Sequence, residues 1–89
     1  MRWQIEFNQQ SAKDMEKLDP QVARRIANFL FKRVARQENP RSIGEALHGK
    51  EFGEFWKYRT GDYRIICKIE DERLLIVVLS IGHRREIYR

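Results

Sequence analysis

Cysteine occurs once in this chain, at Cys67, so no disulfide can form within it, and nothing points to an oxidising compartment. Histidine occurs only at His48 and His83; with a single cysteine these make a poor ligand set for zinc, and neither a metal nor a small-molecule cofactor is expected. Long apolar runs are missing too. The longest, Leu74 to Leu79, has the length of a strand and falls far short of a membrane span. Met1 to Phe7 holds no stretch suited to a signal peptide. The expectations are no membrane association and a cytoplasmic location. There are no repeats, low-complexity segments or linker, so the 89 residues are expected to form one domain, 1–89. A domain of this size buries about 60–65% of its unfolded surface, which keeps its core modest.

Positive charge, by contrast, is plentiful. Lys and Arg number 18 against 13 Asp and Glu, for a net charge of +5. Such a balance suits a nucleic-acid partner, although many basic proteins have none.

The apolar pattern points to an α+β fold. Arg2 to Phe7 alternates, with Trp3, Ile5 and Phe7 on one side, as in a half-buried strand. Ser11 and Asp14 form a helix-start signal, followed by the short stripe Ala12, Met15 and Leu18. Asp19-Pro20 restarts a helix, with Asp19 as N-cap. Val22, Ile26, Phe29, Leu30 and Val34 share one face of it, and Asn39-Pro40 ends it. Its cationic face either meets solvent or touches RNA. Arg41 to Glu54 reads as a loop. Phe55 to Thr60, a Gly61-Asp62 turn and Tyr63 to Glu70 read as a hairpin. Asp71 to Arg73 turns again, and Leu74 to Ile81, apolar on both faces, reads as a central strand. The predicted order is β-α-α-β-β-β, a small antiparallel-rich sheet with a helical hairpin on one face.

The Gly61-Asp62 turn fixes the register of the hairpin. Thr60 faces Tyr63, Arg59 faces Arg64, and Lys57 faces Ile66. One face then carries Trp56, Tyr58, Tyr63, Ile65, Cys67 and Ile69, the core side, where Cys67 acts as a small apolar residue. The other carries Lys57, Arg59, Arg64 and Lys68 around Ile66. Any one of these cations could simply solvate a sheet face. Two arginines directly opposite each other cost about 0.2–1 kcal/mol, so folding alone gives no reason to gather four. A polyanion does, because Lys and Arg neutralise phosphates and release counterions. The tail adds His83, Arg84, Arg85 and Tyr88. Lys57, Arg64, Arg84 and Tyr88, with His83 nearby, would suit RNA cleavage without a metal. A base takes the 2′-hydroxyl proton, cations offset charge on the phosphorane, an acid protonates the leaving oxygen, and an aromatic stacks on a base.

At Leu47-His48-Gly49, Trp56-Lys57-Tyr58-Arg59, Gly61-Asp62-Tyr63-Arg64-Ile65 and Ile81 through Tyr88 the sequence resembles the RelE/ParE toxin superfamily, and within it the RelE-like mRNA interferases. The resemblance implies a RelE-like fold over nearly the whole chain. It also implies a toxin of a type II toxin-antitoxin system that cleaves mRNA in the ribosomal A site, with the 2′-hydroxyl as nucleophile, and so inhibits translation. By position, Lys57 corresponds to the hairpin lysine, a candidate general base, and Arg64 to the arginine that stabilises the phosphate. Arg84 corresponds to the tail arginine at the leaving group and Tyr88 to the base-stacking tyrosine. Arg59, Lys68, Arg85 and Lys50 are candidate RNA contacts. The pattern departs at Phe55, where relatives carry a second lysine; Lys50 lies upstream as a substitute. His83 is the alternative base, histidine being the side chain that titrates nearest neutral pH. The implied partners are a cognate RelB-like antitoxin, the ribosome with its rRNA, and mRNA. Two other functions compete: a ParE-type toxin that inhibits DNA gyrase without catalysis, and a passive nucleic-acid-binding module.

Overall fold

The computed structural model describes residues 3–47 and 54–83. Strand β1 (Gln4–Phe7) leads into helix α1 (Gln9–Lys17) and helix α2 (Pro20–Asn28), which widens into a π-helical segment over Phe29–Val34. A 3-10 turn at Pro40–Ser42 precedes β2 (Glu45–Ala46), β3 (Phe55–Thr60), β4 (Tyr63–Glu70), a second 3-10 turn at Asp71–Arg73, and β5 (Leu75–His83). The sheet order is β1-β5-β4-β3-β2, with β1 parallel to β5 and the other pairs antiparallel. This is the predicted α+β architecture plus one short strand. Among the described residues, no helix is long and apolar enough to cross a membrane.

The hairpin register is the one the turn dictates, from Thr60 opposite Tyr63 to Trp56 opposite Cys67. Gly61 sits at φ 61°, a backbone that hairpin turns require and that glycine adopts without strain. Tyr58, Ile65, Cys67 and Ile69 meet Ile26, Leu30 and Val34 of the second helix and Ile76, Val78 and Ile81 of β5 in one core. Trp56 and Tyr63 pack on its margin. The spacing of Ile26, Leu30 and Val34 by one turn each keeps them on one stripe, and all three are fully buried.

Several boundaries differ from the sequence reading. Helix α1 starts earlier, because Asn8 is the N-cap: its side-chain oxygen accepts from the Ser11 amide at 2.8 Å. Ser11 is buried inside the first turn, and its hydroxyl donates to the Val78 carbonyl at 2.7 Å. Asp19 does precede α2, but its side chain makes no capping bond. Ala35 N–H donates to Leu30 O five residues back, the π-type bond that relaxes the end of the helix. Leu74 lies in the turn at φ 50° rather than in the strand.

The stretch from Arg41 to Glu54, read as a loop, contains a strap laid along the open edge of β3. Glu45 pairs with Lys57 and Ala46 with Trp56. Four further bonds fix the strap: Trp56 Nε1 donates to Ile43 O at 2.7 Å, Tyr58 OH donates to Pro40 O at 2.7 Å, and Arg41 grips Asp71 through two bonds of 2.8 and 2.9 Å. Gly44, at φ 81°, passes so close that a Cβ there would meet Lys57 O at 2.6 Å. Only glycine fits such an approach.

Helix α1 plays a matching role at β5. Strand β1 runs out where Phe7 faces Val78. Beyond that point Asn8 N–H and Ser11 Oγ donate to Val78 O, and Asp14 Oδ2 accepts from Ile81 N at 2.9 Å. The Asn8 amide and the Ser11 and Asp14 side chains thereby replace the missing neighbour strand and satisfy backbone groups that would be costly to bury bare.

Candidate functional site

Alternation along β3 and β4 delivers Lys57, Arg59, Arg64 and Lys68 to the sheet face opposite the helices. Arg59 lies directly across from Arg64, so like charges do oppose each other there. Burial is uneven. Lys57 and Arg64 are only 7% and 6% exposed, whereas Arg59 is exposed and Lys68 half-buried. Buried cations are rare unless something compensates them, which makes these two the unusual members of the group. In β5, Gly82 is the cross-strand partner of Arg64 and Ser80 that of Ile66, so small residues flank the arginine.

Two carboxylates join this face from the stretch between Arg41 and Glu54, where the sequence pattern predicts only loop. Glu45 Oε2 lies 3.3 Å from Lys57 Nζ, and Glu54 Oε2 lies 3.5 Å from Lys68 Nζ. Glu45 was missed because a two-residue strand carries no alternation to detect. A cleft of 270 Å³ at the β3 edge is lined by Lys57, Arg59, Glu45, Gly44, Phe29 and Arg33, among others. The guanidinium of Arg33 stands 5.8 Å from the centre of the Phe29 ring.

His83 falls elsewhere. It pairs with Tyr63 on the helix side of the sheet, and the two rings meet edge-on with centroids 5.6 Å apart. A β-bulge causes this: Ile66 faces Ser80 but Cys67 faces Val78, so Leu79 is an extra residue. Ile76 and Val78 point to the core before it; Ile81 and His83 do so after it. His83 lines a second cleft of 300 Å³ with Asp14, Lys17, Leu18 and Tyr63, on the side opposite Lys57 and Arg64. The structure thus brings four of the candidate residues together and sets His83 apart. Arg84, Arg85, Tyr88 and Lys50 lie outside the described residues.

Two titratable groups beneath the face are structural. Burial pushes the Cys67 thiol well above its usual range, which leaves no nucleophilic thiolate. Burial likewise pushes the Tyr58 hydroxyl up, so it stays a donor to Pro40 O.

A five-stranded sheet with helices on one face and buried cations on the other defines a class. Residues 5–88 match the family described as the ParE toxin of type II toxin-antitoxin systems. Toxin RelG of Mycobacterium tuberculosis is 32% identical over 100% of this chain and 99% of its own length. The mRNA interferase toxin RelE of Escherichia coli K12 is 28% identical over 99% of this chain and 92% of its own. Among solved structures, the RelBE2 toxin-antitoxin complex of Mycobacterium tuberculosis contains a chain that superposes with a TM-score of 0.83 at 27% identity, covering 94% of this chain and 93% of that one. The intact RelBE complex of Escherichia coli contains another, with a TM-score of 0.74 at 23% identity over 91% and 95%, which speaks to the fold alone. The chain belongs to the RelE/ParE family of type II toxin-antitoxin toxins.

Proposed function

We propose that this toxin is an endoribonuclease that cuts mRNA in the ribosomal A site, by metal-independent attack of the 2′-hydroxyl on the adjoining phosphate, and that a RelB-like antitoxin holds it inactive in the cytoplasm. The observation that carries the reading is the burial of Lys57 and Arg64 side by side with Arg59 on a sheet face where folding gains nothing from like charges. Preorganised cations of this kind stabilise charge growing on a phosphorane far better than solvent does. The name of the RelE relative as an mRNA interferase supports the same chemistry. Arg64 binds the scissile phosphate. From the tail, Arg84 acts at the leaving group and Tyr88 stacks on a base; Lys68, Arg59, Arg85 and Lys50 hold the flanking RNA.

A gyrase-directed toxin is the second reading, favoured by the ParE description of the matching family. The purified protein in a translation extract, with ribosomes stalled on a defined mRNA, separates the two. New 5′ ends at the A-site codon, absent without ribosomes and with Arg64→Ala, are expected. Intact mRNA together with inhibited DNA supercoiling would transfer the protein to the gyrase class.

A further inference from the structure

We propose that Phe55 is a stacking surface for one unpaired nucleobase of the mRNA, a role that rests on the ribonuclease reading above. Strand alternation puts Phe55 on the face of Lys57 and Arg59, with Lys68 directly across from it in β4. Trp56 and Tyr58, the residues between, turn to the core instead. The half-buried apolar side chains that pack against that core include Phe29, Trp56 and Tyr63 but, among the described residues, not Phe55. Its ring is itself half-buried, so part of it meets water among charged groups, and folding gains little from that. Position 55 is also where the sequence departs from the RelE-like pattern, with a ring in place of a lysine.

What surrounds the ring selects its occupant. Lys57 lies one side-chain step away along β3, about 6–7 Å. Arg59 and Arg64 follow one step further, toward the turn. An RNA strand whose phosphate sits at Arg64 passes over Lys57 and brings a nearby base to Phe55. Unpaired RNA is held in this way, with bases stacked on aromatic rings beside cations that bind the backbone. An apolar protein side chain has no charge to offer those cations. The backbone that carries the ring is pinned on both sides: Leu47 N–H donates to Phe55 O at 3.2 Å, and Ile69 N–H donates to Glu54 O at 2.8 Å. A rigid ring on a fixed strand loses little entropy when a base settles on it. Every base has a π face, so Phe55 contributes grip more than codon choice. It adds to Tyr88, the stacking residue assigned to the tail.

Two readouts test this. In the first, single-turnover cleavage of mRNA on stalled ribosomes would be timed over a range of toxin concentrations for the wild type, Phe55→Ala, Phe55→Leu and Phe55→Tyr. Leucine keeps apolar bulk but has no π face, whereas tyrosine keeps the face. The half-saturating concentration should rise roughly 5- to 150-fold for the alanine and leucine variants, as expected for the loss of one base–aromatic stack. The tyrosine variant should stay near the wild type, with circular dichroism unchanged throughout. A leucine variant that matches the wild type, or leucine and tyrosine variants that weaken alike, would overturn the assignment.

The second readout needs no cleavage. 2-Aminopurine, whose fluorescence is quenched by stacking, would be placed in turn at each position in and beside the A-site codon. The nucleotides there would be 2′-deoxy, which removes the attacking hydroxyl. The wild type should quench one position that Phe55→Leu leaves bright and Phe55→Tyr still quenches. Absence of any such position would overturn the assignment. A wild type that quenches in this way but does not cut all-ribose mRNA would end the ribonuclease reading and leave the stack standing. A wild type that cuts without Phe55-dependent quenching would do the reverse.

Discussion

The two faces of the β3–β4 hairpin are built from alternate residues of the same strands, and they obey opposite rules. On the helix side, Tyr58, Ile65 and Cys67 are fully buried among aliphatic neighbours. On the other side, Lys57 and Arg64 are nearly as inaccessible, yet both are cationic, and Arg64 faces Arg59 across the hairpin. Burial on the first face lowers the free energy of the fold. Burial on the second raises it, because desolvating a charge costs more than an ion pair of this kind returns. A polyanionic ligand would add favourable charge to this face when it binds. That contrast, more than the net charge of +5, points to a polyanion.

The contrast can be broken from either side, and the largest effects should come at its two centres. Ile76→Ala empties a fully buried position in β5 and should cost about 2–5 kcal/mol, visible as a large drop in the urea midpoint. Arg64→Ala should do the reverse. Cleavage should fall about 10²–10³-fold, as when an electrostatic stabiliser is removed, while the thermal midpoint stays within about 4–8 °C of the wild type, the shift that 1 kcal/mol produces in a domain of this size. A core-like loss of stability in Arg64→Ala would show that both faces serve folding.

Smaller effects should come from the edges. Asp14→Ala strands the Ile81 amide that its carboxylate accepts from, for about 1–3 kcal/mol, whereas Asp14→Asn keeps an acceptor and should lose much less. Hydrogen exchange at Ile81 reads this directly. The smallest effect concerns the strap. The hydrogen bonds from Arg41 hold the Asp71 carboxyl below the usual carboxylate range. A depressed carboxyl contributes stability above its unfolded pKa, near 3.9 for a typical Asp, and loses it as pH falls through the lower folded value. The wild type should therefore lose this increment only below about pH 4, and Asp71→Asn should lack that step. Solvent screens the pair, so about 0.5 kcal/mol is expected.

The hairpin was readable from the sequence because period-two alternation and a Gly61-Asp62 turn leave one register. The four cations of the opposite face follow from that register alone. Three features were not readable. The bulge at Leu79 inserts one residue into an apolar run, where no polar residue marks the change of phase, and unbroken alternation would have sent His83 to the face opposite Ile76 and Val78. The strap carrying Glu45 is held by carbonyls that accept from Trp56 and Tyr58, contacts between segments 13 and 18 residues apart that no local pattern reveals. Asn8 caps α1 three residues before Ser11, whose hydroxyl serves β5 instead. Each case is a tertiary contact prevailing over a local signal.

One assay can compare the two faces of the sheet directly. Primer extension on mRNA with stalled ribosomes would be run with the wild type, Lys57→Ala and Arg64→Ala, and with Lys17→Ala and His83→Ala from the helix side. A-site cleavage is expected from the wild type and both helix-side variants, and cleavage weakened at least about 10²-fold from the two hairpin variants, all with wild-type circular dichroism. Cleavage that survives loss of Lys57 and Arg64 but disappears with His83 would instead place the active site on the other face of the sheet.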